Sequence, residues 1–202
     1  MYQMKRMARR VAGVAALGVV ALPCVAQADW QLDPARSHVE ATITEITSSG
    51  AEVAHHHALK RMNGHIAEDG TLRLPIRLNQ TDLLEQLGEL PVWMQSLTDT
   101  ELTTVVTQLD PQVLDDLPVG ESRTETLMLS VQNGDASQQE SLKVHFTRES
   151  ENEIRVRNAE SVSLDGRAIM QNQTARTVLG MLGYQQIDDE VPVELDAVLV
   201  DR

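Results

Sequence analysis

Val191-Pro192-Val193-Glu194-Leu195-Asp196-Ala197-Val198-Leu199 alternates apolar and polar side chains over most of its length. Successive side chains of a strand point to opposite faces, so this alternation sets one face against a core and the other toward solvent. The same period recurs upstream at Val39, Ala41 and Ile43, at Leu72, Leu74, Ile76 and Leu78, and at Leu127, Leu129 and Val131. It recurs again at Leu142, Val144 and Phe146, and at Ile154 and Val156 running on to Val162 and Leu164. With residues 53–59 and 103–109 the set comes to about eight strands, enough for an antiparallel barrel or a sandwich. Turn signals separate the runs at Ser48-Ser49-Gly50, Glu68-Asp69-Gly70, Asn133-Gly134-Asp135 and residues 149–152. Pro75 and Pro192 fall inside two runs; proline donates nothing to a sheet ladder, so each predicts an edge, a bulge or a strand end, with incomplete closure there.

Two segments break the alternation. Between residues 82 and 97, Leu83, Leu84, Leu87, Leu90, Trp93, Met94 and Leu97 recur at helical spacing, with Thr81 as a cap and Pro91 as a break. Residues 172–182 read the same way, with Val178, Leu179, Met181 and Leu182 as the apolar side. Asp110-Pro111 places a capping residue ahead of proline in the first helical position, the start of a short helix.

The first 28 residues differ from the rest. A basic start (Lys5, Arg6, Arg9, Arg10) leads into an apolar run from Val11 to Leu22, then Pro23 and the small-residue pattern Ala26-Gln27-Ala28. This is the pattern of a secretory signal peptide cleaved after Ala28, and a run of about 12 residues is short of the roughly 20 that span a bilayer. Arg9-Arg10 lacks the neighbours of a twin-arginine signal and reads as ordinary basic charge. Cys24, the chain's one cysteine, would leave with the signal, which excludes disulfides, thiol nucleophiles and cysteine metal ligands from the exported part. Four of the 17 basic residues lie in the signal and none of the 30 acidic ones do, leaving 13 basic against 30 acidic, a net charge of −17. So acidic a surface argues against nucleic acid as a partner and for solubility, or for a basic partner. The roughly 174 remaining residues suit one domain, 29–202, with one core.

Three further stretches carry a family resemblance. Trp30-Gln-Leu-Asp33-Pro34-Ala-Arg36-Ser37-His38-Val39-Glu40 resembles the opening of YceI-like proteins, Met62-Asn63-Gly64-His65-Ile66 their turn between second and third strands, and Ile187-Asp188-Asp189-Glu190-Val191-Pro-Val193-Glu-Leu195 their closing strand. The chain departs from the family at Arg36, where His is usual, at Ala41 and Leu59, where Phe is usual, and at Leu83 to Leu97, which replaces a Phe-rich segment. Only Trp30, Trp93, Phe146 and Tyr184 are aromatic beyond the signal, so a divergent member is implied. The resemblance implies an all-β, extended lipocalin-like antiparallel barrel of about eight strands with short helices. It also implies an apolar interior that holds a polyisoprenoid or similar long-chain lipid in the periplasm, with no enzyme activity and no cofactor. In that register Val39, Ala41, Ile43, Leu59, Leu72, Leu74, Ile76, Leu127, Leu129, Leu142, Val144, Phe146, Val193 and Leu195 face inward, either lining a tunnel or filling a dry core.

His55-His56-His57 is the local feature with most chemistry. His55 and His57 share a strand face about 7 Å apart, inward in the same register, while His56 and His38 point outward. Two such imidazoles close on a metal if His65 or Glu40 adds a third ligand; otherwise they meet the polar end of a lipid as neutral donors and acceptors. No Gly-x-Ser-x-Gly elbow, phosphate-binding glycine loop or HExxH motif is present. The adjacent pairs Asp115-Asp116 and Asp188-Asp189 diverge on any regular element and read as solvated turns. Two other readings stand beside the lipid carrier: an accessory module for a membrane partner such as a b-type cytochrome, and periplasmic metal handling through the histidines. The sequence does not choose between a monomer and a homodimer.

Overall fold

The computed structural model describes residues 29–86, 98–133 and 136–201. The proposed signal peptide, the distal part of the helix expected over 82–97 with Trp93, and Gly134 and Asp135 of an expected turn lie outside them.

One antiparallel sheet runs through the described residues. Its strands are β1 (Trp30–Leu32), β2 (His38–Ile46), β3 (Glu52–Lys60), β4 (Thr71–Arg77), β5 (Glu101–Gln108), β6 (Ser122–Asn133), β7 (Ala136–Ser150), β8 (Glu153–Asn158), β9 (Val162–Asp165) and β10 (Glu190–Asp201). The spatial order is β3-β2-β10-β8-β7-β6-β5-β4, with β1 and β9 added on β10. The sheet curls into a half-barrel, and the expected eight-stranded, lipocalin-like antiparallel architecture is found.

The alternating strand at the C-terminus is the spine: β10 pairs with β1, β2, β8 and β9. Two expectations about individual strands change. Residues 154–164 are not one run but β8 and β9, because the Asn158 side chain takes the Leu195 N–H (2.9 Å) and lets the chain loop out before it rejoins β10. Leu78, the last inward residue expected of β4, instead begins a 3-10 turn over Leu78–Gln80 and is sealed there at 1 % exposure. The prolines behave as their missing N–H requires. Pro75 lies on β4, which pairs with β5 and is the last strand in the sheet order. Pro192 sits one residue outside the paired block Val193–Asp196 of β10 and β2, before the separate bridge Glu45↔Ile187.

The opening of the barrel is the seam between β3 and β4. At one level it is stitched, by the bridge Leu59↔Thr81 and by Asp82 N–H donating to the Ala58 carbonyl at 3.0 Å. The helices are short: α1 (Leu83–Gln86), α2 (Pro111–Asp115), α3 (Gly166–Gln171) and α4 (Gln173–Met181). Asp110 caps α2 as expected, accepting from Gln112 N–H at 3.0 Å, and Asn172 caps α4 by accepting from Ala175 N–H at 3.0 Å. Among the described residues no helix is long and apolar enough to cross a membrane.

Two clusters occupy the two ends of the concave face. The base gathers Trp30, Leu32, Met62, Ile66, Leu72, Leu109, Leu114, Leu117, Val144, Phe146, Ile154, Val156, Ala197 and Leu199. Gly64 shows how tightly it is built, since a Cβ there would stand 2.3 Å from a methyl of Leu74; this accounts for the glycine after Met62-Asn63. The other cluster joins Ile43, Leu179, Tyr184, Ile187 and Val191 under α3 and α4.

Candidate binding site on the concave face

The registers fix which side chains share the inner face. Val39, Ala41 and Ile43 of β2 stand opposite Leu59, His57 and His55 of β3, and Ala41 and Val39 stand opposite Val193 and Leu195 of β10. Across the barrel, Leu72, Leu74 and Ile76 of β4 face Thr107, Val105 and Thr103 of β5. Leu127 pairs with Leu142, and Val144 and Phe146 continue that row along β7. All the inward residues expected from the sequence thus lie on one face of the sheet.

Their burial divides them. Val144 (0 %), Phe146 (1 %) and Leu72 (7 %) are sealed in the base, so they form its floor. Val39, Leu59, Leu74, Leu127, Leu142 and Leu195 pack against that floor yet stay only partly buried, and Ala41, Ile76, Leu129 and Val193 are partly buried as well. Side chains that meet across an interior are close-packed and sealed, whereas these keep part of their apolar surface accessible. These residues form an apolar belt between base and mouth.

The base is closed by a set of interactions that sequence patterns do not reveal. Arg148 Nη1 donates to the carbonyls of Leu114 (2.9 Å), Asp115 (3.1 Å) and Leu117 (3.3 Å) at the C-terminal end of α2. A cation there answers the negative end of the helix and its unpaired carbonyls. The same guanidinium lies 5.5 Å from the centre of the Trp30 ring, and Trp30 Nε1–H donates to Asp115 Oδ1 at 2.8 Å. The opening motif ties down β10: Asp33 holds Ala35 N–H (2.9 Å) and Arg36 Nε (2.8 Å), Arg36 reaches Glu153 (2.7 Å), and Ser37 Oγ accepts from Val198 N–H (3.0 Å). The Arg36 contacts hold the Asp33 carboxyl below its ordinary range.

The mouth carries the polar groups. His55 and His57 sit on the inner face as expected, with ring centres 6.5 Å apart, while His56 is turned outward onto Thr42 Oγ1. Their partners differ from those the sequence suggested. Glu40 pairs with Ala58 and Glu194 on the outward row, and His65 is exposed beside Asp29 at 3.0 Å. The carboxylates that meet the inner histidines are Glu45, 3.2 Å from His55 Nε2, and Asp82, 3.3 Å from His57 Nδ1. Tyr184 joins them, its ring stacked on His55 at 4.4 Å and its hydroxyl 3.3 Å from His57 Nε2. Gly183, at φ +98°, ends α4 in a left-handed turn that folds the chain back and carries Tyr184 inward. Asp82 arrives through the stitch of the β3–β4 seam. Tyr184 is the one tyrosine beyond the signal, the only hint of it in sequence; nothing local marks Glu45 or Asp82.

Burial pushes the His57 pKa down, against the opposing pull of Asp82, so the ring is neutral at pH 7. Burial, with Glu45 and Asp82 nearby, pushes the Tyr184 phenol up. A carboxylate only accepts hydrogen bonds, so His57 carries its proton on Nδ1 toward Asp82 and leaves Nε2 to accept from the Tyr184 hydroxyl. Among the described residues no group of three or more histidine, cysteine, aspartate or glutamate side chains is arranged to hold a metal ion.

A curled antiparallel sheet with a sealed base, an apolar belt and a polar mouth is a lipocalin-like architecture. In fold the chain is similar to a solved structure described as a polyisoprenoid-binding domain from Saccharophagus degradans implicated in plant cell wall breakdown. The two share 18 % identity at a TM-score of 0.68, over 87 % of this chain and 99 % of that one. The fold expected from the YceI-like stretches is therefore the fold found. No family model and no curated protein matches the sequence.

Proposed function

We propose that the protein is an exported, periplasmic carrier or storage protein for a polyisoprenoid or similar long-chain lipid, without enzyme activity. The hydrocarbon lies along the half-buried belt and its polar end rests at His55, His57 and Tyr184. The observation that carries this reading is the belt itself: ten apolar side chains on one concave face, left partly accessible between a sealed floor and a polar rim. Burying hydrocarbon stabilises by about 0.8 kcal/mol per CH₂, so each five-carbon unit contributes on the order of 3 kcal/mol before entropy losses. Micromolar affinity, which needs about 8 kcal/mol, is within reach of a few such units and requires no catalytic group. The described fold, and its likeness to a domain described as polyisoprenoid-binding, support the same reading.

Organic extraction of the purified protein followed by mass spectrometry tests the ligand. A prenyl or other long-chain lipid at near-stoichiometric amount is expected; a clean extract from folded protein that also takes up no added prenol would refute the carrier. Export is tested separately by intact mass after cell fractionation, with a periplasmic species beginning at Asp29 as the expected result.

A further inference from the structure

The mouth has a chemical polarity of its own. The polar hydrogens of its three rings are directed to neighbours: the His57 Nδ1–H to Asp82, the Tyr184 hydroxyl to His57 Nε2 and the His55 Nε2–H to Glu45. What remains is acceptors. These are the outer lone pairs of two carboxylates, the Tyr184 oxygen, and Nδ1 of His55, whose side chain is 29 % exposed.

Cations are held elsewhere. Among the described residues no lysine or arginine bonds to Glu45, His55, His57, Asp82 or Tyr184. Arg167 of α3 is paired with Asp189, Lys60 at the end of β3 with Glu85, and Arg176 is on the exposed side of α4. The stretch 87–97 contributes no basic residue, its one charged side chain being Glu89.

Resting on the carrier reading, we infer that the mouth selects lipids whose head donates a hydrogen bond, a hydroxyl of the alcohol or hydroquinone class, and disfavours a diphosphate. A hydroxyl can give its proton to His55 Nδ1 or to either carboxylate and so complete the network. Among the described ring and carboxylate groups of the mouth, a carbonyl head finds no donor left for it. A diphosphate brings negative charge against two carboxylates in a part-buried site, where repulsion is poorly screened.

The test holds the tail constant and varies the head. Farnesol, farnesal and farnesyl diphosphate are titrated calorimetrically into the delipidated full-length mature protein at pH 7.5. Farnesol is expected to bind about tenfold more tightly than the diphosphate and about threefold more tightly than the aldehyde. In Glu45→Gln and Asp82→Asn, which remove the charge and supply an amide donor, the margin over the diphosphate narrows by about threefold or more, with circular dichroism confirming the fold. Diphosphate binding as tight as the alcohol, or a margin untouched by both substitutions, overturns the inference and leaves the carrier standing. If none of the three binds, the carrier itself falls and the inference with it.

Discussion

The two ends of the concave face are built from the same strands and do opposite things. At the base, Trp30, Phe146, Leu114, Ile154 and Val144 are at most 1 % exposed, and two polar groups there are firmly paired: Arg148 on three α2 carbonyls, Trp30 Nε1 on Asp115. Toward the mouth the same rows continue through Leu195, Val39 and Ala41 into partly buried positions and end at imidazoles, a phenol and carboxylates. Each large side chain fully buried at the base stabilises by roughly 1.5–3 kcal/mol. The belt forgoes part of that gain. A fold whose buried clusters sit at the base and under α3 and α4 is free to leave the stretch between them less filled, which is what a binding site for a foreign apolar chain requires.

Substitutions can break this contrast. The largest effect is expected at Phe146→Ala, a loss of about 3–5 kcal/mol from a sealed site, measured as a lower urea midpoint with unchanged slope; a mild loss would mean that the base is not the stability centre. Arg148→Met removes the donor from three carbonyls and should cost about 1–3 kcal/mol in the same assay, with farnesol affinity retained, since it acts at the far end from the mouth. Ala41→Phe adds the bulk that is usual at this belt position in the YceI-like proteins the sequence resembles. We expect stability to move by less than about 1 kcal/mol while farnesol affinity falls about tenfold; a strongly destabilised variant would show that the belt has no room.

The smallest effect concerns pH. The unfolded His57 ring takes up a proton near the ordinary value of 6.5, whereas the folded ring, its pKa lowered by burial, resists it. Between those two values the unfolded state binds more protons, so stability declines as pH falls below about 6.5 and levels off below the folded value. In His57→Gln that part of the slope should vanish from urea titrations run at successive pH values. A slope unchanged by the substitution would assign the acid sensitivity to other groups.

Much of the wall was legible because a period of two is a local property. The spacing of Val191 to Leu199 and its repeats identified most strands and their inward rows, Asp110-Pro111 marked a helix start through a side-chain cap that acts within three residues, and the apolar spacing over 172–182 marked another helix. The split of residues 154–164 was hidden, since it depends on Asn158 meeting the backbone of Leu195, a contact that spans 37 positions. The partners of the histidines were hidden for the same reason. Asp82 is 25 positions from His57, and Tyr184 is 127.

By itself, then, the chain's pattern determined that strands of this facing would form and which side chains would share one face of the sheet, because alternation and capping are decided by near neighbours. Only the tertiary structure decided where that surface is filled and where it stays open, and which carboxylates and phenol complete the mouth. Those depend on how distant strands and short helices meet across the half-barrel, and no spacing along the chain encodes the distance between them.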